Sequence, residues 1–413
     1  MLKDYVKIIL ISIIYRLLIM LIHAKNSFVD TIIPYPVQPD AFYYYHILPL
    51  PKIIVFIIPL IALSIGLIFF YRILSMYLEP KLSFLGTISL SLLYPFFIQT
   101  YASYTDTPSI IFMFTIIISY YTIKAIQDKS KIPFAVSIVL IDIVLLALFW
   151  IGWKIIAIVV LFCLFPIIYH QVKYKKLLLI LTGTIFTIVA IKLFPRFIEF
   201  CKLFNVINEL RPNWNPIWLI FNVFIFIITF DLIKDKKTYW EFKLRTDKLF
   251  ILLMALTFTI LSMIMKRWTY LAMPFIIIVV LLWLSKRSKT FLKVFMITLI
   301  VLSVFNSITT FSSIEPLIDN DTQVVLERLD NKNITCNWAF GHVYNMFTQY
   351  EIQTKAHPQN FDVWMYGLQN DSSVFESHYI ILSNWDRKRL NNSMYNYNLI
   401  ENTTLISVYE VTQ

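Results

Sequence analysis

Charged side chains are scarce in this chain: Asp, Glu, Lys and Arg make up 15% of its 413 residues, against roughly a quarter in soluble domains. With 58% hydrophobic residues and a mean hydropathy of +0.70, that shortage excludes a soluble globular protein. Glycine is also rare, at 6 residues, while Phe (35) and Tyr (24) are abundant. Cysteine occurs only as Cys163, Cys201 and Cys336, without metal-type spacing, and the first falls inside an apolar run. Neither a disulfide framework nor a cysteine metal site follows from that set. The class that remains is an integral membrane protein.

The apolar runs give about eleven spans, each near the ~20 residues that cross a hydrocarbon core. They lie at about 5–24, 53–71, 82–100, 109–126, 133–150, 154–169, 177–195, 217–233, 249–265, 268–285 and 293–310. The first keeps a basic residue and is too long for a signal peptide. The expected fold is therefore an all-α polytopic membrane domain over 1–310, followed by a small α/β domain over 311–413.

Lysine and arginine set the orientation. One series of connections holds Arg72 and Lys81, then Lys124, Lys129 and Lys131, then Lys173, Lys175 and Lys176. Lys234, Lys236, Lys237, Lys243, Arg245 and Lys248 follow in the same series, then Lys286, Arg287, Lys289 and Lys293. The alternate connections are poor in positive charge, so the first series faces the cytoplasm. The N-terminus is then cytoplasmic and residues 311–413 are extracytoplasmic, in a cell membrane or, in a eukaryote, the endoplasmic reticulum membrane. The net charge of +11 is accounted for by these loops, with no nucleic acid partner needed.

The outward side collects carboxylates. The stretch from Gln38 to His46 holds Asp40 ahead of Tyr43, Tyr44 and Tyr45, in a loop stiffened by Pro34, Pro36, Pro39, Pro49 and Pro51. Read alone, it is either an interfacial aromatic belt or a rigid carboxylate poised for a metal ion at the bilayer surface. Asp106 precedes Thr107-Pro108, where it is either a helix N-cap or a second ligand. Glu209, beside Arg211 and Pro212, adds a third carboxylate from a third loop. Three such oxygens suit a hard divalent cation, Mn²⁺ or Mg²⁺.

Lys266-Arg267-Trp268-Thr269-Tyr270 interrupts two apolar runs on the same side, against the positive-inside trend. Arg267 is either a phosphate-binding fork or a snorkelling interface residue. Trp150, Gly152 and Trp153 make a tight outward turn. Arg16 and Asp142 fall inside spans, either as functional groups or as residues paired within the bundle.

In the tail, residues 321–330 read as a helix, and 379–383 and 405–411 as strands. Asn337-Trp338-Ala339-Phe340-Gly341-His342 is its first notable stretch, with His357 and Trp364 beyond. No Ser–His–Asp order or zinc spacing emerges there. Five N-x-[ST] sequons (Asn320, Asn333, Asn370, Asn391, Asn402) occur in the tail and none in the membrane part, in keeping with an exterior domain.

Taken together and in order, these stretches resemble the catalytic subunit of the oligosaccharyltransferase family, of the GT-C class, in a shortened form. Asp40 to Tyr45 resembles the family's first-loop acidic motif, and Asp106-Thr107-Pro108 its second-loop Asp-x-Asp. Trp150-Ile151-Gly152-Trp153 is similar to its Trp-x-Gly-Trp turn, and Glu209 with Pro212 to the glutamate-ended motif of its external loop. Arg267 to Pro274 resembles the segment with the lipid-phosphate arginine, and Asn337 to His342 sits where Trp-Trp-Asp-Tyr-Gly opens the soluble domain. The departures are Pro108 for the second Asp, Gln99 where many relatives carry arginine, Ala339 for the Asp that meets the acceptor hydroxyl, and eleven spans against thirteen.

The resemblance implies an inverting glycosyltransferase that draws a glycan from a polyprenyl-phosphate or diphosphate carrier in the bilayer. Asp40, Asp106 and Glu209 would hold Mn²⁺ or Mg²⁺, Arg267 the donor phosphate, and Trp338 and His342 the acceptor side. The acceptor is a protein or a glycolipid. A second reading is an enzyme that uses a polyprenyl-phosphate monosaccharide to extend a lipid-linked glycan. A third is a lipid-linked sugar transporter or an inactive scaffold, although the paired half-repeats of transporters do not show. Sugar, carrier length and oligomeric state are not written in the sequence.

Overall fold

A computed structural model of the chain describes residues 2–24, 52–97, 100, 108–149, 156–157, 159–161, 223, 225, 227–228, 231, 246–264, 268–287, 289–313, 320–329, 334–336, 353–354, 379–383, 397–403 and 406–411. Among these residues the protein is mostly helical. Two compact units divide it, one built from the membrane-type helices and one that takes in Thr310–Gln413.

The helical elements are α1 (Leu2–Ala24), α2 (Lys52–Ser75), α3 (Pro80–Leu92), α4 (Tyr94–Phe97), α5 (Pro108–Gln127), α6 (Ile132–Phe149), α7 (Thr246–Ile264), α8 (Thr269–Arg287) and α9 (Lys289–Ser313). Among the described residues three stretches are long and apolar enough to cross a membrane: Ile57–Ser75, Pro108–Gln127 and Thr290–Thr309. Ile132–Leu145 and Thr269–Ser285 are shorter apolar helices. The expected spans at 154–169, 177–195 and 217–233 lie largely outside the described residues.

Burial sorts the helices by depth. In α8 an almost unbroken run from Tyr270 to Leu284 is buried, the pattern of a helix enclosed on all sides. Peripheral helices behave oppositely: α6 exposes Phe134, Leu140, Ile141 and Val144, and α9 exposes Phe291, Val301, Leu302 and Phe305. Apolar faces of that kind are compatible with lipid rather than water. Hydroxyl side chains inside the helices turn back on their own turns, as Ser64 does to the Leu60 carbonyl (2.7 Å), Thr87 to Ser83 (2.8 Å) and Ser119 to Thr115 (2.7 Å). That satisfies a donor where no water is at hand.

The apolar run at 82–100 is one span in sequence but not one helix. α3 ends at Leu92, Leu93 is extended (φ −63°, ψ 120°), and α4 is a single turn. The reason is Pro95, which has no N–H to offer the carbonyl four residues back, that of Ser91. The runs 249–265 and 268–285, by contrast, are two separate helices, α7 and α8.

One end of the helical unit is tied by side chains. The Tyr77 hydroxyl (2.9 Å) and Gln127 Nε2 (2.8 Å) both donate to Asp247 Oδ2, linking the α2–α3 connection, the end of α5 and the start of α7. Arg72 Nε donates to the Tyr5 hydroxyl at 3.2 Å, joining α1 to α2. Between α5 and α6 the chain reverses over Lys129–Lys131, held by Asp128. Its carboxylate accepts from Ser130 Oγ (2.7 Å) and Ser130 N (3.1 Å) and pairs with Lys131 Nζ (3.0 Å). The Ser130 hydroxyl first, and then Lys131 and the Ser130 amide, hold the Asp128 carboxyl down at about 2.

The second unit contains α10 (Asn320–Arg328) and a five-stranded mixed sheet ordered β2-β1-β3-β5-β4. Its strands are β1 (Ile334–Cys336), β2 (Gln353–Thr354), β3 (Tyr379–Ser383), β4 (Tyr397–Asn402) and β5 (Ile406–Val411). β1 pairs in parallel with β2 and β3, while β5 is antiparallel to β3 and β4. β3 is central, with Ile380, Ile381 and Leu382 all buried, so both of its faces are covered. The Thr403 amide donates to the Ile406 carbonyl at 2.8 Å and closes the β4–β5 hairpin. The Thr403 hydroxyl meets that of Thr322 on α10 at 3.0 Å.

Two stability predictions follow from this packing. A methyl at Gly66 would sit 2.5 Å from Cε1 of the fully buried Phe112 ring, whereas one at Gly86 meets Leu281 Cδ1 at 2.6 Å, the tip of a flexible side chain. Gly66→Ala should lose about 1–3 kcal/mol to overpacking, more than the ~1 kcal/mol gained in helix propensity, and Gly86→Ala should lose less. Thermal unfolding of both variants in detergent measures the ranking, and equal midpoints would contradict it. Asp247→Ala leaves two donors without their acceptor and should cost about 2–3 kcal/mol, with Asp247→Asn losing less because it keeps one oxygen.

Candidate functional site

The most completely built polar centre among the described residues surrounds Arg16. This side chain is wholly buried in the middle of an apolar helix. Its Nε donates to the Thr100 carbonyl (3.1 Å) and its Nη2 to the Thr100 hydroxyl (2.8 Å). Nη1 reaches Ser12 Oγ (2.8 Å), Ser91 Oγ (3.2 Å) and, more distantly, the Ser12 (3.3 Å) and Ser91 (3.4 Å) carbonyls. The Ser91 carbonyl is the one that Pro95 leaves without its helical donor. The guanidinium carbon lies 5.1 Å from the centre of the Phe97 ring, a cation–π distance. Among the described residues no carboxylate reaches Arg16, so a full charge rests on neutral oxygens and one ring.

A second polar surface lies close by in sequence. Tyr15 packs its ring edge-on against Phe97 at 4.9 Å, and its hydroxyl is buried, as are Ser303 Oγ, Asn306 Nδ2 and Ser307 Oγ on α9. Positions 303, 306 and 307 share one face of α9 by helical spacing. Asp142 is 7% exposed on α6, and its Oδ2 lacks a partner among the described residues. Of the two ionisable residues that the sequence marks inside spans, Arg16 is thus hydrogen-bonded within the bundle, whereas Asp142 Oδ2 is unmatched among the described residues.

The expected site residues Asp40, Asp106, Glu209, Arg267, Trp338 and His342 all lie outside the described residues, as do Gln99, Trp150, Gly152, Trp153 and Ala339. Their neighbours in sequence are described. Thr100 and Pro108, both ends of the segment with Asp106, are buried. Trp268, Thr269 and Tyr270, which follow Arg267, are buried at the start of α8, and Trp268 stacks on Phe258 at 6.3 Å and 25°. An interface aromatic would be half exposed, so Trp268 is a core residue instead. Cys336, two residues before Trp338, is buried at the end of β1. The chain goes from β1 to β2 on one side and returns across it to β3 on the other. The carboxyl end of β1 is therefore a switch point of the sheet, the position where open sheets receive ligands. Among the described residues no group of three His, Cys, Asp or Glu side chains is arranged to hold a metal ion.

No protein-family model and no curated protein matches the chain. Solved structures do. The archaeal oligosaccharyltransferase AglB from Archaeoglobus fulgidus, in complex with an inhibitory peptide and a dolichol-phosphate, aligns with a TM-score of 0.59 at 12% identity, over 92% of this chain and 69% of that one. The A. fulgidus enzyme tethered to an acceptor peptide with an NVT sequon gives 0.57 at 12% identity, over 100% and 74% of the two chains. ArnT from Cupriavidus metallidurans bound to undecaprenyl phosphate gives 0.48 at 9% identity, over 96% and 92%. Sequence likeness at this level carries no residue roles. The shape of the backbone does carry the architecture, and that architecture is shared with the A. fulgidus oligosaccharyltransferase.

Proposed function

We propose that the protein is a membrane glycosyltransferase that moves a glycan from a polyprenyl-phosphate or diphosphate carrier to an acceptor on the outer or lumenal side. The observation that carries this reading is the AglB likeness over 92% of the chain, joined to the six motif-like stretches that occur in the family's order. The N-terminus then faces the cytoplasm and the domain after residue 310 the opposite side, as the lysine and arginine bias requires.

In this reading each residue has a task set by its chemistry. Expelling a phosphate leaving group is the difficult part of the transfer, because negative charge builds on it. Arg267 would grip that phosphate with two parallel N–H···O bonds, a geometry that lysine does not offer. Asp40 would orient the acceptor nucleophile, and Trp338 and His342 would line the acceptor side beyond the carboxyl end of β1. The donor set of Asp40, Asp106 and Glu209 fits a hard divalent cation, and Mn²⁺ or Mg²⁺ bound there would neutralise charge at the phosphate.

Ala339 favours a second acceptor class. It stands where the resemblance expects the Asp that meets an acceptor Ser or Thr hydroxyl. Without that carboxylate, a lipid-linked glycan is the alternative to a protein acceptor. Purified protein, native lipid extract and Mn²⁺ should give a labelled product, and its analysis as glycopeptide or glycolipid decides between the two. No transfer in either form, with or without Mn²⁺, would overturn the glycosyltransferase reading.

Asp40→Asn removes a charge with little change of shape and should abolish most transfer while the protein remains folded. Normal turnover by that variant would remove Asp40 from the mechanism. Arg267→Lys should lower donor use by about 1–3 kcal/mol, read from initial rates against lipid-donor concentration. A snorkelling lysine would serve an interface anchor equally well, so superimposable curves would assign Arg267 to the membrane surface.

A further inference from the structure

A guanidinium in the middle of an apolar membrane helix is expensive, so such a residue calls for a functional account. Arg16 shows what this one is used for. Three parts of the chain supply its acceptors: α1 itself through Ser12, the end of α3 through Ser91, and Thr100. The contacts with Thr100 are two of the best, and they take both its carbonyl and its hydroxyl in one forked grip. Thr100 is otherwise tethered to the turn before it, its amide donating to the Phe97 carbonyl at 3.0 Å and its hydroxyl to that of Phe96 at 3.0 Å. Six residues further along comes Asp106, and Pro108 opens α5.

We propose that Arg16 is a positioning residue, which fixes Thr100, six residues ahead of Asp106 in the chain. This rests on the reading that Asp106 belongs to the transfer site. A simple helix fastener would need any pair of small polar residues, and the Ser12 and Ser91 hydroxyls already meet at 2.8 Å without help. What only the arginine adds is the forked hold on a residue outside the helices. Lysine can keep the charge but cannot span Nε and Nη2 positions at once.

The test uses the full chain in lipid nanodiscs, with Arg16→Lys and the milder Thr100→Val, which removes one acceptor and preserves side-chain shape. Hydrogen exchange should quicken about tenfold in peptides covering residues 101–107, the effect of losing about one hydrogen bond, while α5 and α8 exchange as in the wild type. In the transfer assay kcat should fall about tenfold with the KM for lipid donor within about twofold, because the donor contacts are untouched. Exchange that is unchanged at 101–107, or that quickens equally in every helix, would overturn the proposal and leave Arg16 a fastener. Should Arg16→Lys fail to fold, Thr100→Val carries the measurement alone. If the wild-type protein transfers no glycan, the functional reading falls, while the exchange data still decide whether Arg16 holds this segment.

Discussion

A polypeptide in hydrocarbon has no water to complete its hydrogen bonds, and the break after Leu92 is where this chain meets that constraint most directly. Pro95 withholds an N–H from the Ser91 carbonyl, the helix stops, and a bare backbone oxygen is left in an apolar setting. Arg16 answers it. The same guanidinium takes the Thr100 carbonyl, the last described backbone group before the next helix, and stacks on Phe97 between them. The kink and the buried charge thus meet at one point, among buried hydroxyls of α1 and α3.

The same constraint explains how far the sequence could be read. Length and hydropathy decide a membrane helix almost alone, so α2, α5, α7, α8 and α9 each lie within a few residues of an apolar run. The interruption at Leu93 is written in Pro95 but hidden by a run whose hydropathy does not drop there. In the tail, α10, β3 and β5 stand out because each has a clear period or a buried apolar run. β1 and β2 have three and two residues, too few for any alternation to register; β1 exists because β3 offers it an edge, and β2 because β1 does. β4 is an edge strand with a bulge between Leu399 and Glu401 and two exposed apolar residues, a pattern that reads as loop.

The candidate site is legible in a different way. Carboxylates in loops follow no period, so Asp40, Asp106 and Glu209 stand out by chemistry and order rather than by position in an element. Arg16 was visible as an ionisable residue within a span, but its partners are serines and a threonine scattered over about ninety positions. Nothing in hydropathy marks neutral hydroxyls as a cation's company. Asp142 shows the converse: visible in sequence, buried in the fold, and with Oδ2 unmatched among the described residues.

The tight reversal at Asp128 has a consequence for how the protein is made. Only residues 128–131 separate the ends of α5 and α6, and the Ser130 and Lys131 contacts to Asp128 close that turn locally, with no help from distant parts of the chain. So short a connection leaves the translocation machinery no slack with which to handle the two helices one after the other. A pair joined this closely is handled as one hairpin, with Lys124, Lys129 and Lys131 gathered near its bend. Lysines gathered at such a bend bias the direction in which a hairpin meets a membrane, and they act on both of its helices at once.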